Sequence, residues 1–116
     1  MWLIDVNLPV QFKDLLKDFG ITAEHAIDRG WRNLSNGKLA EAAHAAGFKV
    51  ILTVDNGLYG EVENFVRKTQ SSFPQIAFVL IKLKQQKLLR MLDTFKEEYK
   101  SNPIKPEAGK LLVWPR

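Results

Sequence analysis

Val50-Ile51-Leu52-Thr53-Val54-Asp55-Asn56-Gly57 decides how this chain reads. An apolar run enters an aspartate, and Asn-Gly then turns the chain. That pattern predicts a buried strand delivering a carboxylate to its C-terminal end. Residues 48–54 are apolar almost throughout, as expected of a parallel strand covered on both faces. The N-terminus repeats the design: Trp2-Leu3-Ile4 runs into Asp5, then Asn7 and Pro9. In open α/β sheets, ligands bind outside the carboxyl ends of the strands. Two strands ending in Asp5 and Asp55 therefore predict one acidic site at one sheet edge.

Working outward, residues 1–6 form the first strand, and Pro9 opens a helix, where its fixed φ suits the first turn. Phe12, Leu15, Leu16 and Phe19 recur at helical spacing, and Gly20 caps that helix. Residues 21–25 make a weaker strand, and 26–34 are irregular. Ser35 is an N-cap. Leu39, Ala42, Ala43 and Ala46 then give a helix a small-residue face, which Gly47 closes. Val62, Phe65 and Val66 mark a third helix ending near Ser71-Ser72. Ile76 to Ile81 is the strongest strand signal and is expected at the centre of the sheet. Residues 84–100 are the clearest amphipathic helix, with Leu88, Leu92, Phe95 and Tyr99 inward. Asn102-Pro103 stops it, and Leu111 to Trp114 is an edge strand. The alternation predicts an α/β sandwich, mostly parallel, in a single domain over residues 1–116.

The 116 residues, 46% hydrophobic and 26% charged, suffice for a core without staples. With no cysteine, disulfides, thiolate catalysis and Cys-held metals are excluded. No apolar run spans a membrane, and no signal peptide is evident, so the cytoplasm is the expected compartment. The net charge of +4 is uneven: residues 82–116 hold nine Lys/Arg against four acids. A basic third beside an acidic site suits a polyanion held by its backbone; a lysine-biased, solvated helix face would read the same.

Asp5 and Asp55 suit a hard divalent cation, which takes oxygen ligands and keeps several waters. The alternative is that each caps a nearby helix. His25 and His44 would make a metal-free acid–base pair only if their rings met. Trp31-Arg32 reads either as a base-stacking and phosphate-contacting loop or as a Trp lid over the core. Lys82 and Lys84 are the backbone-contact candidates. Ser35-Asn36-Gly37 would offer helix-end N–H groups to a phosphate oxygen, without P-loop spacing.

In order and spacing, residues 1–100 resemble the compact PIN-like family of predicted VapC-type toxin nucleases. Typical members open Asp-Glu-Asn-Leu-Pro, matched by Asp5-Val6-Asn7-Leu8-Pro9. A Gly-ended helix matches Gly20, and a His-x-x-Asp-x-Gly stretch matches His25, Asp28 and Gly30. A Ser-Asp helix start is matched by Ser35-Asn36, and Thr-x-Asp-x-Asp-Phe by Thr53 to Leu58. The resemblance implies a PIN-like three-layer sandwich and Mg²⁺- or Mn²⁺-dependent cleavage of RNA. It implies Asp5 and Asp55 as catalytic ligands, Asn36 as a neutral metal ligand, and Asn7, Ser35 and Asn56 beside the substrate. A small antitoxin protein is the implied partner, with a homodimer left open. Asn36 and Gly57 stand where the family carries acids, so the site is depleted. Glu41, Glu61 and Glu63 are the substitutes to consider. Two other readings compete: an inactive PIN-like module binding RNA or protein, and a receiver-like domain phosphorylated on Asp55 with Lys82 nearby.

Overall fold

A computed structural model describes residues 1–34, 36–54, 61–83 and 87–115, with backbone alone for 36, 61–63 and 65. The strands are β1 (Trp2–Ile4), β2 (Ala23–His25), β3 (Val50–Val54), β4 (Ala77–Ile81) and β5 (Leu111–Trp114). They form one sheet of order β2-β1-β3-β4-β5. All four pairings are parallel, so the expectation of a mostly parallel sheet is met in full. The helices are α1 (Phe12–Asp18), α2 (Asn36–Ala45), α3 (Glu61–Gln70) and α4 (Leu88–Ser101). β3, not β4, is the central strand, although every residue of both is buried. Among the described residues no helix is long and apolar enough to cross a membrane.

Side chains alternate along each strand and so sort the core into two layers. Ile4, Val50, Leu52, Val54, Val79 and Ile81 face α1 and α4, meeting Phe12, Leu16 and Phe95. Leu3, Ile51 and Phe78 face α2 and α3, meeting Leu39, Ala40, Ala43 and Val66. The result is a three-layer α/β sandwich consistent with a PIN-like chain.

Gly20 and Gly47 end their helices as the sequence predicts. Both have positive φ (80° and 86°). In each case the glycine N–H and the next residue's N–H bond back to helix carbonyls: Gly20 and Ile21 to Lys17 and Leu16, Gly47 and Phe48 to His44 and Ala43. A left-handed residue is needed there, and glycine adopts it without a Cβ penalty. Pro9 does not start α1 itself. Its carbonyl accepts from Phe12 N–H at 3.1 Å in a tight entry turn, and the helix follows from Phe12. The irregular stretch after β2 contains a short 3₁₀ turn, Ala26–Arg29.

One crossover breaks the usual rule. From β2 to β3 to β4 to β5 the chain steps the same way across the sheet. It crosses on the α2/α3 face twice and then on the α1 face through α4. The β4–α4–β5 connection is therefore opposite in hand to the others, whereas parallel crossovers nearly always share the right hand. The cause lies in coverage. The α1 face of the sheet is apolar across β1, β3 and β4, and seven-residue α1 is too short to cover it. Phe95 supplies the missing apolar mass, with its ring 4.9 Å from Phe12 and 4.8 Å from Trp114. Trp114 Nε1 donates to the Asn102 carbonyl at 2.8 Å, tying the end of α4 to β5.

Candidate functional site

After β1 the chain leaves toward α1 on one face; α3, which follows β3, lies on the opposite face. Adjacent strands whose continuations diverge leave a crevice at their carboxyl ends. Asp5 follows β1 at that point, and its backbone N–H donates to the Leu52 carbonyl at 2.9 Å, extending the β1–β3 ladder. Asp5 is 4% exposed. Oδ1 accepts from Val6 N–H and Oδ2 from Thr53 Oγ1, each at 2.7 Å. The Asp5 carbonyl also accepts from Leu8 N–H at 3.1 Å, closing a turn that leaves Asn7 exposed. Among the described residues Asp5 therefore caps no helix, and its carboxylate joins the end of β1 to β3.

A carboxylate offers about four acceptor positions, and among the described residues only neutral donors meet these two oxygens. Among the described residues no Lys, Arg or His side chain pairs with Asp5. A buried carboxylate lacking a cation is costly. An all-oxygen, anionic, rigidly held donor is what Mg²⁺ or Mn²⁺ takes, so Asp5 fits a one-carboxylate contribution to such a site. No group of three or more His, Cys, Asp or Glu side chains gathers among the described residues. Asp55 and Asn56, one and two residues past β3, lie outside the described residues, as do Ser35 and Lys84.

Comparison with protein-family models, with curated proteins and with solved structures gives no match.

Lys82 follows β4 at the same sheet edge, one residue beyond the Val54–Ile81 rung; its N–H donates to the Trp114 carbonyl at 2.7 Å, and its side chain is exposed. Asn36 is the first residue of α2, with its side chain outside the described atoms. Its neighbour Gly37 borders a cavity of about 210 Å³ shared with Lys68, Thr69, Ser72 and Phe73, so this turn faces the end of α3. Glu41 is exposed on α2, and the Glu61 and Glu63 side chains are outside the described atoms.

The histidines form no pair. His25 is fully buried: Nδ1 accepts from Ile27 N–H at 3.1 Å, which puts the ring proton on Nε2, and that nitrogen meets the Leu8 carbonyl at 2.8 Å. Nε2 thus ties β2 to the turn after Asp5, and Nδ1 caps the 3₁₀ turn that follows β2. His44 is exposed near the end of α2, its ring 6.1 Å from Phe73. Trp31 packs as a lid: its ring lies 6.1 Å from Phe48, edge to face, with the Arg29 guanidinium 5.6 Å from the Trp31 ring and 5.0 Å from that of Phe48. Arg29 is held there by Glu24 at 2.6 Å. Arg32 is exposed beside that lid.

Two buried polar groups escaped the sequence reading. Thr53 is 4% exposed and orients Asp5; the one signal was a hydroxyl inside an apolar strand. Gln70, at the end of α3, donates through Nε2 to the Phe73 and Ile76 carbonyls at 3.0 and 2.8 Å, while its buried Oε1 has no partner. Nothing in the spacing marked it.

Proposed function

We propose that this protein is a PIN-like, Mg²⁺- or Mn²⁺-dependent ribonuclease with a depleted acidic site, acting as the toxin of a toxin–antitoxin pair. The observation that carries this reading is the Asp5 carboxylate, buried at the β1/β3 crevice and fixed by Thr53 Oγ1 at 2.7 Å. When bound, a divalent cation supplies Lewis-acid polarisation of a phosphoryl oxygen. Asp5, with Asp55 from the neighbouring strand end, holds it. Thr53 keeps the Asp5 carboxylate in one orientation. Asn7 hydrogen-bonds the RNA backbone, and the Lys82 ammonium draws its phosphates to this edge. Asn36 and Gly57, in place of acids, lower the negative field, which favours one cation over two.

The test is cleavage of RNA with Mn²⁺ or Mg²⁺ by the wild-type chain, Asp5→Asn and Asp55→Asn. Cleavage lost in both variants supports the reading; wild-type inactivity, or cleavage unchanged in the variants, refutes it. RNA bound but not cut would identify the inactive module, which the missing acids at positions 36 and 57 favour.

The strand order favours a second reading. β2-β1-β3-β4-β5 is the order of flavodoxin-type doubly wound sheets, the class of receiver-like domains, with ligands at the β1/β3 switch point. Asp55 would then be phosphorylated, and labelling by acetyl phosphate tests it. The hand of the α4 crossover and the lack of a second acid after Asp5 weigh against this reading.

A further inference from the structure

His25 is a fully buried polar side chain that the proposed chemistry leaves unused. A buried imidazole needs partners for both ring nitrogens, and the fold supplies them from two directions. Nδ1 accepts from Ile27 N–H at 3.1 Å, in the 3₁₀ turn that follows β2. The ring proton is therefore on Nε2, which donates to the Leu8 carbonyl at 2.8 Å, 17 positions back in sequence. A local bond fixes the tautomer, and a long-range bond uses it.

The residue held by Nε2 closes the turn that carries Asp5. Leu8 N–H donates to the Asp5 carbonyl at 3.1 Å. Val6 N–H, inside the same turn, donates to Asp5 Oδ1 at 2.7 Å. His25 also stands opposite Ile4, the residue before Asp5, in the β1–β2 register. Thr53 fixes Oδ2 from β3, but one bond leaves a carboxylate free to swing about that oxygen. The direction of Oδ1 follows Val6 N–H, and so follows the turn. The Leu8 side chain is anchored in the core at 2% exposure. Apolar packing has no direction, whereas a hydrogen bond fixes how the peptide group points.

We propose that His25 is a positioning residue of the Asp5 site. As the Nε2–H tautomer it holds the Leu8 carbonyl and, through the Asp5–Leu8 turn, sets the direction of Asp5 Oδ1 and the place of Asn7. It transfers no proton and touches neither cation nor RNA. This inference rests on the reading of Asp5 as a cation ligand. Removing a group that orients a metal-holding side chain costs about 10–100-fold in metal affinity.

Two amide side chains separate the bonds of the ring. A glutamine amide nitrogen reaches about as far as Nε2, and an asparagine amide oxygen about as far as Nδ1. His25→Gln therefore keeps a donor for Leu8, and His25→Asn keeps the acceptor for Ile27 alone. Both lose ring packing, so both should melt below wild type. Mn²⁺ affinity is measured by calorimetric titration of the full chain, at a temperature where each variant shows folded circular dichroism. It should fall about tenfold in His25→Asn and stay within about threefold of wild type in His25→Gln. Amide exchange without cation should quicken at Val6 and Leu8 in His25→Asn alone, with the Asp5 amide, bonded to Leu52, still protected. Equal Mn²⁺ affinity in the two variants, or unchanged exchange at Val6 and Leu8 in His25→Asn, would overturn the proposal and leave His25 as core packing. Imidazole ¹⁵N shifts of the wild-type chain give a measurement that needs no variant to fold: the Nδ1–H tautomer at His25 would overturn the proposal as well. Wild type that binds no Mn²⁺, with the expected exchange in His25→Asn, would remove the cation from the proposed function and leave the His25 clamp on the turn standing.

Discussion

Thr53 Oγ1 donates to Asp5 Oδ2 at 2.7 Å, joining the residue two positions before one strand-end aspartate to the other aspartate across 48 positions of sequence. The bond spans the two strands whose continuations part to opposite faces. It fixes the carboxylate by a hydroxyl inside the central strand, so the acidic group is anchored in the rigid part of the sheet. Replacing Thr53 by Val keeps the shape and removes the donor. We expect a loss of about 1–3 kcal/mol in chemical denaturation, because a buried carboxylate loses one of the two donors that the described residues give it. Thr53→Ser should retain most of the stability. Equal stability of the Val and wild-type chains would show that the bond contributes nothing.

Divalent cations should stabilise the folded chain through Asp5. A ligand that binds only the native state raises the melting temperature with its concentration. Mn²⁺ titrated to millimolar levels should raise the Tm of wild type and leave that of Asp5→Asn unmoved. An equal rise in both would place the cation elsewhere.

His25 is structural. Alanine there strands the Leu8 carbonyl and the Ile27 N–H and leaves a cavity in place of a fully buried ring. The expected cost is about 1–3 kcal/mol for the unmet polar groups. His44→Ala, at an exposed position, should lie within about 0.5 kcal/mol of wild type. Comparing the two unfolding curves checks both, and RNA cleavage by His44→Ala should equal that of wild type.

Phe95 holds α4 on the α1 face. Removing its ring abolishes contacts with Phe12, Tyr99 and Trp114 together. Phe95→Ala should cost about 3–5 kcal/mol. The same substitution should speed amide exchange along α4 more than along α2 or α3, since neither of those packs against this ring.

Burial pushes the Tyr99 hydroxyl above the ordinary tyrosine value of 10.0. The folded chain then keeps a proton that the unfolded chain releases, so Tyr99 stabilises fully below pH 10 and less as pH climbs past it. Stability should fall in that window, and less steeply in Tyr99→Phe. Ultraviolet titration of the phenolates should show a late component that the Phe variant lacks.

Local patterns were legible wherever a short segment has one way to satisfy itself. Gly20 and Gly47 had to cap helices because their backbone takes positive φ. The apolar runs into Asp5 and Asp55 had to be buried parallel strands because nothing along them faces water. Leu88, 39% exposed, misled for a related reason: helical spacing gives the direction a side chain points, and says nothing of whether the core extends that far. Pro9 was right as a turn former and early as a helix start. Trp31 and His25 had two readings each, and only their partners, Phe48 and the Leu8 carbonyl, chose between them.

The element types, the alternation that makes a parallel α/β sheet, and the two aspartates at strand ends were all readable along the chain. Those follow from periodicity and turn chemistry, which act over a few residues. That β1 and β3 are neighbours, that Thr53 meets Asp5, and that α4 crosses on the α1 face emerged with the assembled fold. Strand order and crossover side depend on which apolar surfaces remain to be covered once the sheet has formed, and that is a property of the assembled layers.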